Sequence, residues 1–267
     1  MWEQSADIEW IVPYKGFEYR PQTTMVPRSE QVRALSVCGI DPSDFGDVAD
    51  PSFFIGIAIH AGVESGITAD GNVNMVQKLE QYAPLKLDTE IRITGRVTNV
   101  EEVPRGQAVT SEVHFTGADG DLALTARRRS LRPDPAKLDA RGAGDRPPPV
   151  IEDPMALRHI GEVEMTPERV TGYRSTGNPI HYDLAAAKAG GFRAPIIGGG
   201  MGVHYLTAAI WREFNPQNVD LEIYFRRPIF WDDRLSLCVD DGDETWTSIC
   251  LARDRKVATE ARINRIG

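Results

Sequence analysis

The sequence predicts an α+β protein in which one unit, an antiparallel sheet curved around its own helix, is written twice. Three observations carry that expectation. A Pro- and Gly-rich break falls near the middle of the 267 residues, matching positions recur at one fixed spacing on either side of it, and each part holds a charge-poor helical segment followed by alternating strands. The break runs from Arg132-Pro133-Asp134-Pro135 to Pro147-Pro148-Pro149, a composition that packs poorly as helix or sheet. It sets expected boundaries: a first unit over 1–132, a linker over 133–150 and a second unit over 151–267. The spacing is 144 residues. Pro51, His60, Pro84 and Asp88 recur as Pro195, His204, Pro228 and Asp232, and the strand positions Ile91 and Ile93 fall on Leu235 and Leu237.

The elements follow in parallel. A short amphipathic helix opens each unit, Pro27 to Val37 and Pro167 to Tyr173, with proline where a first helical residue lacks a hydrogen-bond acceptor in any case. Phe53 to Val63 and Gly200 to Trp211 are apolar, rich in small residues and nearly free of charge, as suits a helix covered on most sides. Strands come next in the first unit at Met75–Gln81, Ile91–Ile93, Val109–Val113 and Leu122–Leu124. The second unit has Val219–Phe225, Leu235–Leu237, Trp246–Ile249 and Ala258–Ile263, and turns such as Ala118-Asp119-Gly120-Asp121 separate the runs. A buried helix followed by antiparallel strands is the pattern of a sheet that wraps one face around a helix. Two such copies in one chain would pack as a symmetric dimer does.

Composition narrows function. Thirty basic against thirty-nine acidic residues leave a net charge of −9, which argues against a nucleic-acid surface. No run of about 18 uncharged apolar residues is present for a membrane span. The acidic opening Met1-Trp2-Glu3-Gln4 is unlike an export signal. Cys38, Cys238 and Cys250 are odd in number and widely spaced, the usage expected of reduced thiols in a cytoplasmic protein. No Cys/His set has metal-ligand spacing and no Gly-rich nucleotide loop follows a strand, so neither a metal nor a bound cofactor is expected.

The segment Thr176-Gly177-Asn178-Pro179-Ile180-His181 carries the chemistry. Gly and Asn tolerate unusual backbone angles and Pro fixes its own, which places His181 on a loop just ahead of the buried helix. Gly198-Gly199-Gly200 opens that helix, where bare amides attract a developing oxyanion. An imidazole beside such amides fits proton transfer next to a thioester carbonyl. From Asn178 to Met201 the chain resembles the MaoC-like, (R)-specific enoyl-CoA hydratase/dehydratase family of hot-dog folds. Asn178, Pro179, Ile180, His181, Asp183, Ala187, Phe192, Pro195 and Ile196 match its pattern of Asn-Pro-Ile/Leu-His-x-Asp, Ala and Phe-x-x-Pro-Ile at the family's spacing.

The resemblance implies a double hot-dog chain that adds or removes water across the α,β double bond of an acyl thioester in fatty acid metabolism. It implies His181 and Asn178 as the residues that handle water, and the amides of Gly199 and Gly200 as the grip on the carbonyl. The substrate would be a thioester of coenzyme A or of acyl carrier protein. Thr176 stands where the pattern has its catalytic Asp, and Gly198 where a His is frequent. Supporting candidates are Thr176 itself, Asp183, and the pair His60 and Glu64, one helical turn apart. Asp183 has an alternative as a helix cap, His60 and His204 as packed helix residues, and Asn178 as a turn residue. Arg127-Arg128-Arg129, with Arg226 and Arg227, read as a solvated strand face or as contacts for coenzyme A phosphates. At the 144-residue spacing His181 falls on Val37, so one site per chain is expected, with the first unit shaping the acyl pocket. Two other readings stay open: a non-catalytic acyl-thioester-binding subunit, alone or in a further homo- or hetero-oligomer, and an acyl thioesterase.

Overall fold

The computed structural model describes residues 9–69, 71–137, 147–175, 177–242 and 245–267. Before the break the chain forms β1 (Gln22–Thr24), α1 (Arg28–Cys38), α2 (Phe53–Glu64), β2 (Val73–Gln81), β3 (Ile91–Val103), β4 (Gly106–Thr116) and β5 (Leu122–Pro133). After it come β6 (Arg158–Glu164), α3 (Pro167–Tyr173), α4 (Leu184–Ala189), α5 (Gly199–Phe214), β7 (Val219–Phe225), β8 (Arg234–Asp240), β9 (Ser248–Arg253) and β10 (Lys256–Ile266). All ten strands join one antiparallel sheet in the order β1-β3-β4-β5-β2-β7-β10-β9-β8-β6. Match β1–β5 to β6–β10 and that order is the same from either end. The two sequences of strands meet along the β2–β7 ladder, where Lys78 lies opposite Glu222. These two residues are themselves 144 apart, so the spacing read from the sequence coincides with the centre of the ladder.

The helices are buried for the reason their composition gives. Every residue of α5 from Met201 to Trp211 is buried, because the helix has no polar face to offer solvent. It packs on β9 and β10 on one side and on α1 and the 3-10 turn Pro42–Phe45 on the other, with Trp211 against Phe45 at 5.5 Å between ring centroids. In the other half α2 packs on β3 and β5, and Phe54 meets Phe115 at 4.8 Å. One core of buried side chains runs through both halves.

Several boundaries differ from expectation. Pro27 sits just outside α1, in extended backbone, as its cap. The sheet takes in the start of the expected linker: Arg132 and Pro133 pair with Gln107 and Gly106, because their strand lies along β4 and its neighbours hold it there. At the other end Pro147 and Pro148 are held by the Arg226 guanidinium, and buried Glu260 accepts from the amides of Val150 and Ile151. Residues 138–146 lie outside the described residues. No helix among the described residues is long and apolar enough to cross a membrane.

Candidate active site

The loop after α3 is built by two side-chain caps and a tyrosine hydrogen bond. Asn178 Oδ1 accepts from the Ile180 amide at 3.3 Å and opens a 3-10 turn over Pro179–His181. Asp183 Oδ1 accepts from the Ala186 amide at 2.7 Å and starts α4, the cap role the sequence had offered for it. Both therefore hold the local fold. Tyr182 donates its hydroxyl to the Gly177 carbonyl at 3.1 Å.

His181 is fixed by that scaffold to the segment that leads into α5. The Ile196 amide donates to the Ile180 carbonyl at 3.2 Å, and His181 Nδ1 lies 2.8 Å from the Ile196 carbonyl oxygen. A carbonyl only accepts, so Nδ1 carries the proton and Nε2 presents a lone pair. Desolvation pulls the imidazole pKa below its ordinary value; the hydrogen bond to Ile196 opposes this and the Arg174 charge adds to it. The ring is thus a neutral base near neutral pH.

Gly198 caps α5, and geometry leaves the first amides of the helix, at Gly199 and Gly200, without intrahelical acceptors. The packing explains one of these two glycines. A methyl group on Gly199 would come within 2.9 Å of the Phe225 ring, whereas one on Gly200 would meet nothing closer than the Tyr173 hydroxyl at 3.8 Å. His60 and Glu64 lie on the last turns of α2, 3.5 Å apart and partly exposed. Desolvation lowers the His60 pKa, Glu64 raises it, and the charge of Arg174 lowers it as it does for His181. Thr176, where the matched pattern has its carboxylate, lies outside the described residues.

Two groups of residues escaped the sequence reading. The first surrounds His204, buried on α5 as expected but in a polar cluster. Its Nδ1 is 2.6 Å from Asp50 Oδ2 and 2.5 Å from Ser52 Oγ, and its Nε2 is 2.8 Å from the Tyr173 hydroxyl. Burial pushes the Tyr173 phenol above its usual range, so it remains a donor to Nε2 while Nδ1–H serves the carboxylate. Asp50 and Ser52 precede α2, so this cluster bolts one half to the other, and removing a partner would strand a buried polar group at a cost of about 3 kcal/mol. The recurrence of His60 at His204 marked the position, but nothing nearby in sequence marked Asp50.

The second group corrects the reading of the arginine run. Arg127 and Arg129 pair with Glu112 and Glu101 on the outer face, as a solvated strand face requires, but Arg128 points inward and bonds Asn74. Arg226 pairs with buried Glu260 and Arg227 donates to the Val257 carbonyl, so these two serve the fold. Two surface clefts of about 310 and 360 Å³, one lined by Arg28, Gln31 and Asp47 and the other by Pro21, Thr23 and Arg92, lie elsewhere on the first half. Neither includes His181 or the start of α5.

No family model matches the chain. It is 24% identical over 193 residues to the 3-hydroxyacyl-thioester dehydratase X of Mycobacterium tuberculosis, an alignment covering 71% of this chain and 67% of that protein. The crystal structure of HtdX from the same organism superposes with a TM-score of 0.73 at 21% identity, covering 90% of this chain and 98% of that one. A MaoC-like dehydratase from Phytophthora capsici superposes at 0.71 with 14% identity, over 94% of this chain and 97% of that one. The chain has the MaoC-like dehydratase fold. In this MaoC-like frame the start of α5 lies beside β7 and β2, where a Cβ on Gly199 would meet the Phe225 ring and Asn74.

Proposed function

We propose that the chain is a dehydratase/hydratase of acyl thioesters, built as two fused hot-dog units of which the second carries the base. The observation that carries this is the tether of His181 Nδ1 to the Ile196 carbonyl, which aims an unprotonated Nε2 from a segment two residues ahead of the α5 cap. In the hydration direction Nε2 takes a proton from water as the water oxygen bonds to C3 of a trans-2-enoyl thioester. The π pair moves onto the thioester, and the enolate oxygen that forms faces the amides of Gly199 and Gly200. C2 then takes a proton back from the imidazolium, and dehydration runs the same steps in reverse. Asn178, whose carbonyl oxygen is engaged with Ile180, keeps its Nδ2 to orient the water. The similarity to a 3-hydroxyacyl-thioester dehydratase supports this reaction, and the proposal takes a thioester of coenzyme A or acyl carrier protein as substrate and no further cofactor.

A panel of trans-2-enoyl-CoA and 3-hydroxyacyl-CoA thioesters, followed by absorbance of the conjugated thioester, tests it. His181→Ala is expected to lose about 10²–10⁴ in kcat, the range of positioned acid–base assistance. Unchanged turnover in the variant would remove His181 from the chemistry. Release of free thiol in place of the double-bond signal would make the chain a thioesterase.

A further inference from the structure

We propose that Asn74, locked by Arg128, is a substrate-binding donor from the first half that completes the grip on the thioester oxygen at the start of α5. This rests on the dehydratase reading of the same site and assigns it residues from the half that lacks the His181 motif.

The argument begins with strand phase. Gln77, Leu79 and Gln81 of β2 are buried and pair with Arg128, Ala126 and Leu124 of β5. Residues directly opposite one another in a ladder point to one face, so this is the face that looks toward the helices. By simple alternation Asn74 would point to the other face. Between Asn74 and Val76 the register shifts by one residue, with Met75 the extra one, and Asn74 pairs with buried Ser130. A bulge of this kind re-aims the residues beyond it. Here it turns Asn74 inward, just past the end of the β2–β7 ladder at Val76 and Tyr224.

The orientation of the amide then follows from chemistry. Arg128 Nε is 2.6 Å from Asn74 Oδ1, and a guanidinium only donates, so the oxygen must face it. The Asn74 NH₂ is left on the far side, where Nδ2 lies 3.4 Å from the place a methyl group would take on Gly199. Two N–H donors of a neutral amide thus sit beside the helix amides that have no intrahelical acceptor. Arg128 makes no ion pair among the described residues. Its side chain keeps some exposed area, but protein atoms crowd the guanidinium, and that desolvation pulls its pKa down to about 10, with the nearby Tyr19 opposing. An unpaired cation on the helix-facing side of a sheet is costly to keep there. Holding a neutral donor against developing negative charge accounts for it, since its field reinforces the amide it orients. Arg128 is in this sense a positioning residue.

The experiment measures kcat and KM on a trans-2-enoyl-CoA for Asn74→Ala, Asn74→Ser, Arg128→Met and Arg128→Lys, with binding of unreactive butyryl-CoA by calorimetry. Loss of one preorganised oxyanion donor is expected to cost Asn74→Ala about 10²–10³ in kcat. Arg128→Met should lose most of the same factor and Arg128→Lys less, and the double variant Asn74→Ala/Arg128→Met should be no worse than Asn74→Ala. Wild-type kcat and KM in Asn74→Ala and Asn74→Ser would overturn the proposal, as would additive losses in the double variant. If the alanine variant does not fold, Asn74→Ser decides. If the wild type turns over no enoyl thioester, the dehydratase reading fails. The clamp then stands on a tenfold or greater weakening of butyryl-CoA binding in Asn74→Ala and falls if binding is unchanged.

Discussion

At the scale of single residues, the protonation state of His181 makes a testable claim. Its folded pKa lies below the ordinary histidine value of about 6.5, chiefly because burial penalises the imidazolium. A base that works when neutral should keep the free enzyme active below that pH. The acid limb of kcat/KM is therefore expected below about 6.5. The sign for stability is consistent. The unfolded chain takes up the proton at a higher pH than the folded one, so this residue's contribution is complete above about 6.5 and falls as pH drops from there. A pH profile of kcat/KM checks the claim, and a limb at or above 6.5 would reject His181 as the base. Asn178 and Asp183 show how a residue of the matched pattern also serves the local fold. Both belong to the matched pattern, but their carboxamide and carboxylate oxygens close the local turns.

At the scale of elements, the start of α5 separates two glycines that look equivalent in sequence. Gly199 faces the Phe225 ring with no room for a Cβ, while a Cβ on Gly200 would make only ordinary contacts, with the Tyr173 hydroxyl and the Ser52 carbonyl. Gly200→Ala should leave thermal stability unchanged or raised by up to about 1 kcal/mol, since alanine favours the helix. Gly199→Ala is expected to lower it by about 1–3 kcal/mol through overpacking. Melting temperatures of the two variants decide, and equal values would show that Phe225 yields freely. Helices α2 and α5 were legible because a charge-free segment of small and apolar residues has few other uses, and the long strands because alternation announced them. The bulge at Met75 was not, since a register shift depends on the partner strand and leaves no local mark. For the same reason Asn74 and Arg128 were hidden: the first lies just ahead of the strand expected from Met75, and the second reads as the middle of a charged run. Edge strands β1 and β6 escaped notice because the first has three residues and the second is mostly polar.

At the scale of the whole molecule, the repeat spacing and the sheet agree through Lys78 and Glu222, while the copies diverge further out, β4 having 11 residues and β9 six. That divergence is what a sequence comparison at one spacing cannot follow. The halves are joined by far more than the chain between 137 and 147. Six residue pairs of the β2–β7 ladder cross between them, from Val76 opposite Tyr224 to Gln81 opposite Val219. The Asp50–His204–Tyr173 cluster crosses at the helices, Tyr205 donates to the Cys38 carbonyl at 2.9 Å, and Arg33 donates to the Gly172 carbonyl at 2.8 Å. Continuous burial of apolar surface across the same seam adds the larger, non-directional share. A cut in the connecting segment removes only the entropic advantage of the tether, which grows slowly with loop length. A protease site placed between residues 139 and 145 should therefore give, after cleavage, two fragments that still elute together in size-exclusion chromatography and keep most of the enoyl-CoA turnover of the intact chain. Separate elution without denaturant would show that the tether, and not the shared sheet, holds the active site together.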